Sequence, residues 1–172
     1  MTIVFGGGCF WCTEAIFRRL KGVESVTVGC AGGERSNPNY HMVLSGDTGH
    51  AEVIKIEFDP SVIPLDTLFS VFFATHDPTT LNRQGNDVGT QYRSTILYTS
   101  EEQKTAAEAF IIQLEKDQTF SKPIVTEIKP LDTFYEAEWY HQEYYEKNSG
   151  EPYCQFVIDP KIAKLRQNFR IC

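Results

Sequence analysis

The sequence predicts an α+β fold, a two-layer mixed α/β roll. Two observations predict it. Strand-like and helix-like stretches interleave along the chain, their apolar spacing switching between two and 3.6 residues. The polar connections rich in Gly, Pro, Asn and Asp are too long for a tightly doubly wound sheet. Thr2 to Phe5 is β-prone and runs into Gly6-Gly7-Gly8. From Phe10 to Leu20, Ala15, Ile16, Phe17 and Leu20 recur at helical spacing, and Lys21-Gly22 closes that helix. Val23 to Cys30 alternates as a strand, and Ala31 to Gly49 carries enough turn chemistry to be read as loop. Ala51 to Phe58 is the clearest strand, ended by Asp59-Pro60. Leu65 to Thr75 is an apolar helix entered at Pro64, and His76 to Gln91 is a polar loop. Ser94 to Tyr98 is a strand, and Ser100 caps a helix running to Lys116. Strand at Ile124 to Ile128, helix at Ala137 to Lys147 and strand at Phe156 to Ile158 complete the order. The core expected from this pattern is ferredoxin-like, with long irregular loops around it.

The chain has 172 residues and a formal net charge of −7, a length that suits one domain spanning 1–172. The acidic balance argues against nucleic acid or an anionic membrane as partner. No apolar run approaches the ~18–20 residues of a bilayer span. Met1-Thr2-Ile3-Val4-Phe5 lacks the basic start of a leader. Five cysteines are an odd number and too few for a disulfide scaffold. The expectation is a cytoplasmic protein whose thiols are reduced at rest.

Cys9 follows three glycines and opens a helix. Unpaired N–H groups and the positive end of the helix dipole stabilise a thiolate there, so a lowered pKa and a reactive Cys9 are expected. The alternative is a small buried hydrophobe. Cys9 and Cys12 form a C-x-x-C. With no second pair and no H-x-x-x-H, a redox dithiol is favoured over zinc, and no metal is expected. Phe10 and Trp11 between the cysteines suggest an apolar pocket for a small group, or two core residues.

In the strand Ala51 to Phe58, Glu52 shares a face with Ile54, Ile56 and Phe58, while Lys55 and Glu57 mark the other face as solvated. Buried among apolar residues, Glu52 would hold its proton near neutral pH and serve as a general acid. At the strand's start it could instead reach water. Tyr40 and Tyr92 offer hydroxyl donors nearby, but nothing local separates them from the six other tyrosines.

Gly8-Cys9-Phe10-Trp11-Cys12 resembles the signature of the A-type peptide methionine sulfoxide reductases. Thr48-Gly49-His50-Ala51-Glu52, the stretch from His76 to Ser94, and Ala137-Glu138 through Tyr140-His141-Gln142 resemble further motifs of that family, in order. The resemblance implies Cys9 as nucleophile, Phe10 and Trp11 around the substrate's S-methyl group, and Glu52 as proton donor. It implies that Tyr40, Asp87 and Tyr92 hold the sulfoxide oxygen. It further implies specificity for the S-sulfoxide, a Cys9 sulfenic acid resolved by a second thiol, thioredoxin or another dithiol as reductant, and no cofactor. Cys154 falls where the family's resolving cysteine commonly lies, although the glycine-rich tail that often follows is replaced by Gln155 to Pro160. Cys12 and Cys172 compete with it, in that order, and Cys30 has no assigned task. A monomer suits an enzyme that must reach oxidised side chains on proteins. Rival readings are a thioredoxin-like dithiol oxidoreductase using Cys9 and Cys12, a cysteine hydrolase with His50 or His141 as base, and a non-catalytic module that binds methionine.

Overall fold

The protein, described from a computed structural model, is defined over residues 1–169. The first strand β1 (Thr2–Gly6) leads through α1 (Phe10–Phe17), β2 (Val23–Ala31), α2 (Tyr40–Leu44) and β3 (Ala51–Phe58) to α3 (Leu65–Thr75). A hairpin of β4 (Arg83–Gln84) and β5 (Asp87–Val88) precedes β6 (Thr95–Tyr98), α4 (Glu101–Lys116), β7 (Glu127–Pro130) and β8 (Tyr135–Glu136). Two C-terminal helices follow, α5 (Tyr144–Asn148) and α6 (Asp159–Asn168).

Six strands form one sheet in the order β7-β6-β1-β3-β2-β8. All neighbours are antiparallel except β6 and β7. Within it, β1-α1-β2-β3-α3-β6 has the order β6-β1-β3-β2, the ferredoxin-like arrangement expected from the sequence. Ile3, Phe5, Val28, Ile54, Ile56 and Ile96 point from the sheet into the main core, where helices cover them. Phe5 stacks on Phe72 at 4.6 Å and tilts against Phe17 at 5.5 Å, tying β1 to α3 and α1.

Several expectations need correction. The second face of β3 is not solvated at its start: Ala51 and Val53 are fully buried with Val4, Ala31 and Leu97 under Leu131 and Phe134. The Ala31 to Gly49 loop contains α2, whose cap Asn39 accepts the Met42 N–H. The His76 to Gln91 loop contains the β4–β5 hairpin. The strand expected at Ile124 lies at Glu127–Pro130, and the helix expected at Ala137 to Lys147 is a 3-10 turn (Trp139–His141) and α5. Glu143, in left-handed backbone (φ 57°), separates the two. Phe156 to Ile158 is no strand: Cys154–Ile158 is a π-helical turn that runs directly into α6.

Candidate functional site

The loop from β1 to α1 is held from several sides. Gly8 has φ +90°, a left-handed conformation that glycine adopts without strain, and its N–H donates to the Tyr92 carbonyl at 3.3 Å. A Cβ on Gly7 would meet the His76 ring at 3.0 Å. That ring is buried between the Phe72 carbonyl and the Ser94 hydroxyl, and burial pushes its pKa down to about 4. Chain direction then turns sharply, and Cys9 becomes the N-terminal cap of α1.

Glu52 reaches this turn from the neighbouring strand. It is 1% exposed, and its Oε1 accepts the Phe10 N–H at 3.2 Å. Its Oε2 is buried with no partner among the described residues. Burial raises its pKa to about 8, with the charges of Asp87 and Cys12 adding to the effect and the Phe10 N–H opposing it. Glu52 is therefore a neutral carboxylic acid at pH 7, and the escape to water left open by the sequence does not occur.

Cys9 corrects another expectation. Its thiol is pushed well above the usual range, first by burial and then by Cys12 and Glu52; the Trp11 N–H opposes this more weakly. Burial outweighs the helix terminus, one of whose donors, the Phe10 N–H, is engaged by Glu52. The neighbouring Cys9 thiol first, and then Lys161 and the Tyr153 hydroxyl, hold Cys12 down to about 7 against its burial. The first proton lost belongs to the pair of neighbouring thiols. Cys30 pairs with Glu52 across the sheet, and burial pushes its thiol up to about 12, so it stays protonated.

Aromatic rings enclose the thiol pair. Phe10 is buried and stacks on Tyr40 at 5.9 Å. Trp11 is half-buried, stacks face to face on Tyr144 at 3.8 Å, and donates its indole N–H to His141 Nδ1 at 3.3 Å. Tyr40 and Tyr92 are half-buried, and burial with the nearby Glu52 charge holds both phenols above their ordinary range. Asp87 accepts from Tyr153 at 3.3 Å, and its charge acts on Glu52 and on both phenols. Cys9, Glu52, Tyr40, Asp87, Tyr92, Phe10, Trp11 and Cys12 thus converge. Cys154 is fully buried without a hydrogen bond to Cys9, and Cys172 lies outside the described residues.

Sequence reasoning missed Tyr144 and Tyr153, whose approach depends on the C-terminal turns and leaves no local signal. It placed His141 only as a hydrolytic base. Instead His141 Nδ1 accepts the Trp11 indole N–H, while His50 accepts the Gly33 N–H and contacts the Arg35 carbonyl. Neither imidazole is bonded to Cys9, and the Cys–His pairing of a hydrolase is not formed. Among the described residues no three His, Cys, Asp or Glu side chains gather to hold a metal ion, and no helix is long and apolar enough to cross a membrane.

A paired thiol, a protonated carboxyl facing it and an aromatic enclosure define a thiol-dependent oxidoreductase. The sequence model of the peptide methionine sulfoxide reductases matches residues 1–171. Over 167 residues the chain is 58% identical to the peptide methionine sulfoxide reductase MsrA of Acinetobacter baumannii (strain AYE), covering 97% of this chain and 95% of the relative. Among solved structures, Mxr1 from Saccharomyces cerevisiae in reduced form superposes with a TM-score of 0.84 at 37% identity, over 90% of this chain and 88% of that one. Mxr1 in complex with Trx2 superposes with a TM-score of 0.60 at 26% identity, over 84% of each chain. The chain belongs to the peptide methionine sulfoxide reductase family, and its relatives place it in the A type.

Proposed function

We propose that this chain reduces methionine S-sulfoxide, free or in proteins, to methionine, with Cys9 as nucleophile and Glu52 as general acid. The observation that carries the reading is the buried Glu52 carboxyl, its Oε1 on the Phe10 N–H and its Oε2 unpartnered, beside the helix turn that bears Cys9. Phe10 and Trp11 receive the S-methyl group, and Tyr40, Tyr92 and Asp87 orient the sulfoxide oxygen. The Cys9 thiolate attacks the sulfoxide sulfur while Glu52 protonates the oxygen. Oxygen passes to Cys9 as a sulfenic acid, methionine leaves reduced, and Glu52 is left as a carboxylate.

Cys12 then resolves the sulfenic acid. The C-x-x-C spacing, which puts Cys12 one helical turn from Cys9, and the depressed pKa of Cys12 support it over Cys154, whose thiol is pushed up by burial. An external dithiol returns the disulfide to two thiols, and no prosthetic group takes part. The complex of Mxr1 with Trx2 supports a thioredoxin in that role.

A single turnover without reductant tests this. Reduced protein mixed with excess methionine S-sulfoxide is expected to release one methionine per chain and to yield a Cys9–Cys12 disulfide on peptide mapping. Cys9→Ser is expected to release none. Methionine release by Cys9→Ser at the wild-type rate would overturn the proposal.

A further inference from the structure

We infer that Tyr153 is a positioning residue for the resolving step, its hydroxyl bridging Cys12 to Asp87 and carrying the Cys12 proton toward that carboxylate. This rests on the reading of Cys12 as the resolving thiol. The Tyr153 hydroxyl lies 3.5 Å from Cys12 Sγ, within sulfur hydrogen-bonding range, and donates to Asp87 Oδ2 at 3.3 Å. A phenol can accept from the Cys12 thiol while donating to Asp87, and once the sulfur is a thiolate the same oxygen donates to it, which is how Tyr153 lowers Cys12. The ring is held edge-on to Trp11 at 6.0 Å, so the hydroxyl has a fixed place between its two partners. Burial and the neighbouring thiols hold the phenol far above its usual range, so it relays a proton and does not act as a phenolate base.

In the step itself, the Cys12 sulfur forms a bond to the Cys9 sulfur as the Cys9 S–O bond breaks. The Cys12 proton moves to the Tyr153 oxygen while the phenolic proton moves to Asp87. The departing hydroxide takes up the proton that Asp87 has just received and leaves as water, so Asp87 ends as the carboxylate it began as. Cys9–SOH and Cys12–SH therefore give one disulfide and one water, with no further reductant. The groups acting on Cys12 are Cys9 on its own helix, Lys161 on α6, Tyr153 on the C-terminal turn and Asp87 on β5, while the charge of Cys12 acts in turn on Cys154 and on Glu52 of β3.

The test follows both halves of one turnover in the full chain by rapid quench. Methionine release reports the first half. Dimedone-trapped Cys9 sulfenic acid and the Cys9–Cys12 disulfide report the second, each as a function of pH. In Tyr153→Phe, disulfide formation is expected to slow tenfold or more, sulfenic acid to accumulate, and the Cys12 limb of the pH profile to move upward. Incorporating 3-fluorotyrosine at position 153 keeps ring and hydroxyl but makes a stronger donor, and is expected to move the limb downward. This second variant keeps the test decisive if Tyr153→Phe does not fold. An unmoved limb in the folded variants overturns the proposal, even if both halves slow together. A wild-type disulfide linking Cys9 to Cys154 overturns it through the resolving thiol, and failure of the wild type to release methionine overturns the enzymatic reading separately.

Discussion

Glu52 holds its proton because burial leaves it little water, and that fixes how the protein responds to pH. A carboxyl raised to about 8 in the fold but ordinary in the unfolded chain favours folding below the unfolded value. That advantage is lost as pH rises through about 8, because the native state must then bury a charge. Glu52→Gln is expected to be more stable than wild type at pH 9, by roughly 1–3 kcal/mol, and little changed at pH 5, as urea denaturation at the two values would show. The same substitution is expected to slow sulfoxide reduction at pH 7 by ~10²–10⁴-fold, in a single-turnover assay of methionine release. Wild-type reduction should decline as pH passes about 8, and Glu52→Gln should lack that limb. Glu52 was legible in the sequence because strict alternation put a charge on an apolar face. The ionisation of Cys9 was not, because it is set first by how deeply the tertiary fold buries the thiol and then by Cys12 and by Glu52 from another strand.

At the scale of elements, local grammar was reliable where it agreed with packing. Ser100 caps α4 as expected, accepting the Gln103 N–H at 3.3 Å, and Ser100→Ala should cost ~1 kcal/mol in thermal or denaturant unfolding. Ala51–Phe58 and Leu65–Thr75 have the bounds that their periodicity gives. The C-terminal segment misled because Phe156, Val157 and Ile158 favour strands and Pro160 looks like a terminator. Yet Cys154, Ile158, Ile162 and Leu165 are all buried at helical spacing, and the helix passes Pro160 because the turn before it has widened to π-helical bonding. Tertiary burial overrode local propensity there. Connections are as constrained as elements: a Cβ on Gly33 would lie 2.3 Å from the His50 backbone nitrogen, just before Glu52. Gly33→Ala is expected to destabilise by ~2–4 kcal/mol and to lower the rate of methionine release, because backbone must move to admit the methyl group.

For the molecule as a whole, β1 is the strand on which both halves of the fold depend. It lies between β6 and β3, and its Phe5 touches rings on α1 and α3. Phe5→Ala should cost ~3–5 kcal/mol in denaturant unfolding, with the activity of the folded fraction falling less than that of Glu52→Gln. The central strand also comes first in the chain, and this has a consequence for synthesis. Growing from its N-terminus, the chain exposes Cys9 early and can pair β1 with β3 once Phe58 has emerged, but Tyr144 and Tyr153, which cover Trp11 and Cys12, emerge almost a hundred residues later. A partly made chain on the ribosome thus carries Cys9 and Cys12 before the tyrosines that cover them, open to any oxidant until the last turns close.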